Sequence, residues 1–140
     1  MTAQVVTDCS LAMAWCFQDE ATPQTDHVLE SFAQGAECLV PSHWTLEVAN
    51  TLLGAIRAKR ISHDRVTQFV TLLDTLPITI DSETAAHGLG RILALSQETG
   101  LTSYDAAYLE LAIRKGVPLA SLDNALRSAA TARGIPVLGR

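Results

Sequence analysis

Residues 102–126, TSYDAAYLELAIRKGVPLASLDNAL, constrain the fold more than any other stretch of the chain. Their pattern predicts a helix opening at Asp105, a Gly116-Val117-Pro118 turn, a short buried strand over Leu119–Leu122, and a further helix opened by Asp123. Ala106, Ala107, Leu109, Leu111, Ala112 and Ile113 make the first of these helices apolar over most of its surface, so it has to be largely buried. A strand between two helices is the unit of a parallel α/β sheet, and ligands of such sheets bind beyond the carboxyl ends of the strands. Asp105 and Asp123 both fall at element boundaries where that rim is expected.

The remaining chain repeats the same grammar. Gln4–Thr7 is a β-branched run that stops at Asp8, and Ser10 offers a cap for a helix over Leu11–Phe17. A polar loop with Pro23 leads into a helix over Thr25–Gln34, stopped by Gly35. Glu37–Val40 reads as a second strand. Ser42 follows as a cap for a helix from His43 to about Arg60. On that helix Leu46, Ala49, Leu53 and Ile56 form an apolar stripe widened by Trp44, Val48 and Leu52, while Glu47, Asn50, Thr51 and Gly54 form a separate polar and small strip. Another helix begins at Ser62 or His63 and closes before Pro77. Residues 77–80 form a third strand, and a helix from Ser82 or Glu83 to about Thr99 is weakened at Gly88 and Gly90. A last short strand spans 134–138. The alternation predicts one domain over residues 1–140, a three-layer α/β/α fold with a mostly parallel central sheet.

Four acids are thereby directed toward one rim. Asp8 and Asp123 follow strands directly, whereas Glu47 and Asp105 sit in early turns of helices. Each has a plain alternative role, as a helix N-cap or as a first-turn acid favoured by the helix dipole. Four such acids on one rim are harder to account for in that way. A buried carboxylate needs a partner, and a cation is a suitable one.

The composition narrows the choice of cation and partner. The 140 residues carry a net charge of −5, unevenly spread: residues 1–56 hold seven acids and no Lys or Arg, whereas residues 57–140 hold all ten bases against eight acids, a net of +2. That balance opposes non-specific coating of nucleic acid and leaves room for a focused phosphate site. His27, His43, His63 and His87 have no partner at metal-ligand spacing and read as surface or packed residues. Cys9, Cys16 and Cys38 form no CxxC pair and read as reduced thiols, which suits the cytoplasm. No apolar run approaches the ~20 residues of a membrane span, and no signal peptide is visible. Carboxylates without imidazole or thiolate suit hard cations, Mg²⁺ or Mn²⁺, which orient a water and stabilise a phosphoryl transition state. Arg57, Lys59, Arg60 and Arg127 are candidate phosphate contacts, although each also suits an ordinary solvated face.

The segments VVTDCSLAMAW, PSHWTLEVANTL, LTSYDAAYLELA and VPLASLDNAL resemble, in order, the four motifs of PIN-domain ribonucleases. The small size and the YDAAYLELA stretch are most similar to VapC-type toxins of toxin–antitoxin pairs. The resemblance implies that Asp8, Glu47, Asp105 and Asp123 form a catalytic quartet holding Mg²⁺ or Mn²⁺, with Asp8 and Asp105 the most direct ligands. Ser10 and Asn50 match polar positions that support the site. It also implies hydrolysis of RNA phosphodiester bonds, homodimerisation, and inhibition by a cognate antitoxin. Two positions depart from the pattern: Cys9 stands where a small residue is usual, and Ser121 where Thr is common.

Three other readings compete. A receiver-like signalling domain would need an acidic pair at the first strand and a Lys after the last, and both are missing. A phosphohydrolase of small esters would need a DxD signature, which Asp8-Cys9-Ser10 does not supply. A PIN fold that only binds partners would not need the complete quartet.

Overall fold

The computed structural model describes residues 3–140. Its strands are β1 (Gln4–Thr7), β2 (Glu37–Val40), β3 (Ile78–Ile80), β4 (Leu119–Ala120) and β5 (Val137–Leu138), in the sheet order β3-β2-β1-β4-β5. All neighbouring pairs are parallel; Val5 stands opposite Cys38, Leu39 opposite Thr79, and Ala120 opposite both Thr7 and Leu138. The expected mostly parallel sheet is therefore parallel throughout. From β1 the chain steps outward to β2 and β3, then returns to the other side of β1 for β4 and β5. That reversal opens a crevice past the carboxyl ends of β1 and β4.

Helices α1 (Cys9–Cys16), α2 (Pro23–Ala33), α3 (Trp44–Arg57) and α4 (His63–Asp74) precede β3. They are followed by α5 (Thr84–His87), α6 (Leu93–Thr99), α7 (Ser103–Lys115) and α8 (Asn124–Ala132). Helix α1 packs on α2, α3 and α4, while α7 packs on α6 and α8, which gives the two outer layers of an α/β/α fold. Val6, Val40 and Leu119 from the sheet meet Leu11, Phe32, Phe69, Leu109, Leu111 and Leu126 from the helices in the fully buried core. Trp15 packs edge-on against Phe32 at 6.0 Å between ring centroids, and its indole N–H donates to the Thr25 carbonyl at 3.1 Å. The polar end of the ring is thus satisfied while its body stays apolar. No helix among the described residues is long and apolar enough to cross a membrane.

Several local expectations need correction. Helix α7 starts at Ser103, with Thr102 as its cap, so Asp105 lies in the first turn instead of opening the helix. Ser10 does not cap α1; the Asp8 carboxylate takes that place, and Ser10 lies inside the helix. Ser42 does not cap α3, whose N-cap residue is His43 without a side-chain bond. The Ser42 N–H instead donates to Thr84 Oγ1 at 3.1 Å. Helix α2 begins two residues earlier than expected, because Thr22 and Thr25 form a reciprocal capping box with Pro23 in the first turn. Between α5 and α6, Gly88–Ile92 form a π turn. Two glycines in five residues weaken the ordinary helical pattern there and let the wider turn form.

The largest correction concerns α3. Trp44, Val48, Leu52 and Ala55 face the core, whereas Leu46 is 74% exposed and Leu53 41% exposed. The helix carries two adjacent apolar stripes, and only one can be buried. The side that is buried is the one that lets Glu47 reach Tyr108 on α7.

Beyond β3 a charged network joins the sheet edge to α7. Arg114 grips Asp81 with both terminal nitrogens, at 3.2 and 2.6 Å, and donates from Nε to Glu110 Oε1 at 2.8 Å. The Glu110 and Asp81 side chains are only 3% and 6% exposed. Replacing Arg114 by Met leaves two buried carboxylates without their cation, which costs about 3–5 kcal/mol. Urea denaturation of Arg114→Met at neutral pH is expected to show a loss of that size, and a loss below about 1 kcal/mol would mean the network contributes little.

Candidate functional site

Asp8 stands at the carboxyl end of β1, facing the end of β4. Its backbone N–H continues the sheet by donating to the Ala120 carbonyl at 3.1 Å. Its side chain, 4% exposed, accepts three hydrogen bonds. Leu11 N and Ser10 Oγ donate to Oδ1 at 3.0 and 2.7 Å, and Ser121 Oγ donates to Oδ2 at 2.5 Å. Ser10 and Ser121 are themselves held: their hydroxyls accept from Leu122 N and Asp123 N, both at 3.0 Å. The turn after β4 is thereby laced to the start of α1, and Asp123 is delivered to the same rim. Asp123 caps α8, accepting from Leu126 N at 2.8 Å.

Glu47 and Asp105 come in on α3 and α7. Tyr108, buried on α7, donates its hydroxyl to Glu47 Oε1 at 2.5 Å, and His43 Nε2 lies 3.1 Å from the same oxygen. His43 Nε2 also lies 3.0 Å from the Tyr104 carbonyl, which fixes the first turn of α7 against the start of α3. The Asp105 N–H donates to its cap, Thr102 Oγ1, at 3.2 Å. Asn50 stands exposed one turn beyond Glu47 and makes no side-chain bond to any of the four acids.

The four carboxylates act on one another. Burial pushes Asp8 from its ordinary range up to about 6; the bonds from Ser121, Leu11 and Ser10 oppose the rise, and the charge of Asp105 adds to it. Asp105 is raised as well, first by burial and then by the charges of Asp123 and Glu47. For Glu47 burial works in the same direction, but the bonds from His43 and Tyr108 outweigh it, and its carboxyl lies below the usual range. Asp105 is thus coupled by charge to Asp8 on one side and to Glu47 and Asp123 on the other. Among the described residues no group of three or more His, Cys, Asp or Glu side chains is placed to hold a metal ion. One or two carboxylates completed by water and a phosphate ligand are the smaller set a hard divalent cation can use.

The fold and the family are now decided by one match. A family model described as the PIN domain aligns with residues 5–132. The chain belongs to the PIN domain family. A comparison with curated protein sequences gave no match. Among solved structures this PIN domain is similar to PAE2754 from Pyrobaculum aerophilum, at 18% identity and a TM-score of 0.68, over 98% of this chain and 90% of the other. It is also similar to Mycobacterium tuberculosis VapC20, titled a Sarcin-Ricin loop cleaving toxin, at 13% identity and a TM-score of 0.60, over 89% of this chain and 94% of that one. A third is FitAcB from Neisseria gonorrhoeae, at 15% identity and a TM-score of 0.59, over 95% of each chain. At these identities the likeness is one of fold.

The two departures from the motif pattern leave this PIN domain's rim intact. Ser121 supplies to Asp8 the hydroxyl that a Thr would bring. Cys9 turns toward Thr51, with Sγ 3.6 Å from Oγ1, and burial pushes its thiol up to about 11, so it stays neutral. His43, Tyr108, Thr102 and Ser121 were not singled out as site residues by the sequence pattern. Only the aromatic and hydroxyl residues next to the acids hinted at them. Two of the basic candidates are already committed elsewhere. Arg60 is paired with Asp19 and Glu20, at 3.0 and 2.6 Å, and lies over the Phe17 ring. Arg127 donates to the carbonyls of Ser121 and Leu138, both at 2.9 Å. Arg57 and Lys59 are exposed near the end of α3 that lies away from Glu47.

Because the folded state holds the Asp8 proton more tightly than the unfolded chain, Asp8 opposes folding above about pH 6, and that opposition fades as pH falls toward 4. In EDTA, the wild type is expected to gain about 2 kcal/mol relative to Asp8→Asn between pH 7.5 and 4.5. Denaturant midpoints of both proteins across that range measure the difference. Parallel pH profiles would show that Asp8 is not perturbed.

Proposed function

We propose that this PIN domain, the 140-residue chain acting as one unit, is a metal-dependent endoribonuclease, the toxin of a toxin–antitoxin pair. The observation that carries the reading is the placement of Asp8 and Asp123, laced together through Ser121 past the ends of β1 and β4, with Glu47 and Asp105 brought in on the first turns of α3 and α7. Asp8 and Asp105 are both raised by burial and by neighbouring charge. Acids arranged in this way favour a cation over solvent. Asp8 and Asp105 would hold Mg²⁺ or Mn²⁺, with Glu47 and Asp123 beside them. The bound ion would polarise the scissile phosphate and lower the pKa of a water nucleophile. The role of Ser10 and Ser121 is to hold both oxygens of Asp8 in place, so that the carboxylate does not turn away when it loses its proton. Tyr108 and His43 hold Glu47 by its Oε1 alone and keep it ionised.

Toxin activity requires an inhibitor, and the neighbours include a toxin–antitoxin complex from Klebsiella pneumoniae, at 20% identity and a TM-score of 0.56, over 85% of this chain and 86% of that one. The reading gives the chain two protein partners, a cognate antitoxin and a second copy, for which exposed apolar side chains are available. Leu89 is 92% exposed, Leu46 74% and Ile80 53%. The proposal places the protein in the cytoplasm, where its RNA substrate is.

Purified protein incubated with cellular RNA in Mg²⁺ or Mn²⁺ is expected to cut it, and EDTA to stop the cutting. The Asp8→Asn, Asp105→Asn variant should lose at least about 100-fold in rate. Equal cutting by variant and wild type would assign the activity to another protein or the site to other residues. Metal binding without any cutting would favour a module that only binds partners. Ser121→Ala tests the support of Asp8 separately. It removes a donor to the charged form, so the acidic limb of the pH–rate profile is expected to move upward, with metal affinity falling about 10–100-fold. An unmoved limb would remove Ser121 from the site.

A further inference from the structure

Tyr104 is 66% exposed, although most of α7 is buried. Its ring centroid lies 5.6 Å from that of His43, and His43 in turn meets Tyr108 edge-on at 5.3 Å. The three rings form a column that starts in the core at Tyr108, 1% exposed, and ends in solvent at Tyr104. The column runs beside the acids: Asp105 follows Tyr104 in the chain, and the ring that separates Tyr104 from Glu47 belongs to His43, whose Nε2 lies 3.1 Å from Oε1. His43 also fixes the backbone beneath Tyr104, with Nε2 3.0 Å from its carbonyl oxygen. Tyr104 is thus an aromatic ring held at its base with its body open to water, next to the carboxylate rim.

An RNA chain entering this rim meets four acids, so ionic attraction to its phosphates is weak there. Contacts to the bases are not subject to that repulsion, and a base stacked on an aromatic ring is worth as much as a strong ionic contact. We propose that the open side of Tyr104 is the platform for an unpaired nucleobase adjacent to the scissile phosphate, and that His43 positions that platform. This rests on the nuclease reading for the phosphate, while the stacking contact can be detected without cleavage. A base inside a duplex has both faces covered, so the platform selects single-stranded segments or flipped-out bases.

The test combines kinetics with a fluorescent reporter. Cleavage of a synthetic oligoribonucleotide spanning a site mapped in cellular RNA is compared for wild type, Tyr104→Phe and Tyr104→Ala. The expected result is a KM about 5- to 100-fold higher for Tyr104→Ala, with kcat changed by less than about twofold and Tyr104→Phe like wild type. Removing the base next to the cut, in an abasic substrate, should weaken binding to wild type but not further weaken binding to Tyr104→Ala. In parallel, mixed-sequence single-stranded RNA is titrated into Tyr104→Trp, Asp8→Asn. Trp15 and Trp44 are only 6% and 5% exposed, so the new indole reports from solvent, and stacking should quench it.

Quenching by single-stranded RNA and not by the same RNA annealed into a duplex would support the platform. Quenching without cleavage by wild type would keep the platform and reject the nuclease reading. Cleavage with an unchanged KM for Tyr104→Ala and the same abasic penalty in both proteins would reject the platform and keep the nuclease. Bound RNA without quenching, or no RNA binding at all, would overturn the platform too.

Discussion

Four carboxylates on one rim repel one another, and the rest of the structure around them works to hold them there. Asp8 accepts three hydrogen bonds and is still driven up to about 6, so burial outweighs all three donors. What offsets the repulsion is local. Asp8 caps α1 and Asp123 caps α8, while Asp105 and Glu47 lie in first turns, where the helix dipole favours an acid. The plain structural role and the proposed functional role therefore need the same placement. Each acid stabilises the start of a helix, and the parallel topology gathers those helix starts at one edge. A fold whose strand ends all face one way makes an acidic crevice out of ordinary capping residues.

This explains which parts of the molecule were legible in the sequence. Strands such as Gln4–Thr7 and Glu37–Val40 could be read because fully buried parallel strands are short apolar runs bounded by turn residues. Asp8 and Asp123 could be placed because they follow such runs directly, and Glu47 and Asp105 because they lie in the first turns of clearly patterned helices. The orientation of α3 could not, since Leu46, Ala49 and Leu53 form a stripe as apolar as Val48, Leu52 and Ala55. The side that packs inward also brings Glu47 to Tyr108, 61 residues away. The same holds for Ser121, whose hydroxyl reaches Asp8 across 113 residues. Capping by Ser10 and Ser42 failed for a related reason: a helix start with two suitable polar residues leaves the choice to the tertiary partner. Gly88 and Gly90 marked a weak point correctly, but not that it would widen into a π turn.

The two sides of α7 divide the labour. Its first turn carries Asp105 and Tyr104 at the rim, and its fourth turn carries Arg114, bound to Asp81 and Glu110. The network beyond β3 fixes the far end of the helix, so the near end can present a raised carboxylate and an exposed ring without shifting. Stability and reactivity are thereby placed on one rigid element, at a separation of two to three turns.

The unequal charge distribution takes on a structural sense in this light. The later part of the chain holds all ten bases, yet most of its arginines are bound internally. Arg60 pairs with Asp19 and Glu20, Arg133 with Glu98, and Arg65 donates to the carbonyls of Trp15 and Cys16. Arg127 and Arg140 close over carbonyls at the ends of β4 and β5. Guanidinium groups used in this way are drawn toward the protein's own carbonyls and carboxylates, and the rim has four acids. For an enzyme proposed to act on RNA this has a consequence. Under the proposed reading, recognition would rest on a cation held by the carboxylates and on contacts to bases, both of which depend on local geometry more than on charge.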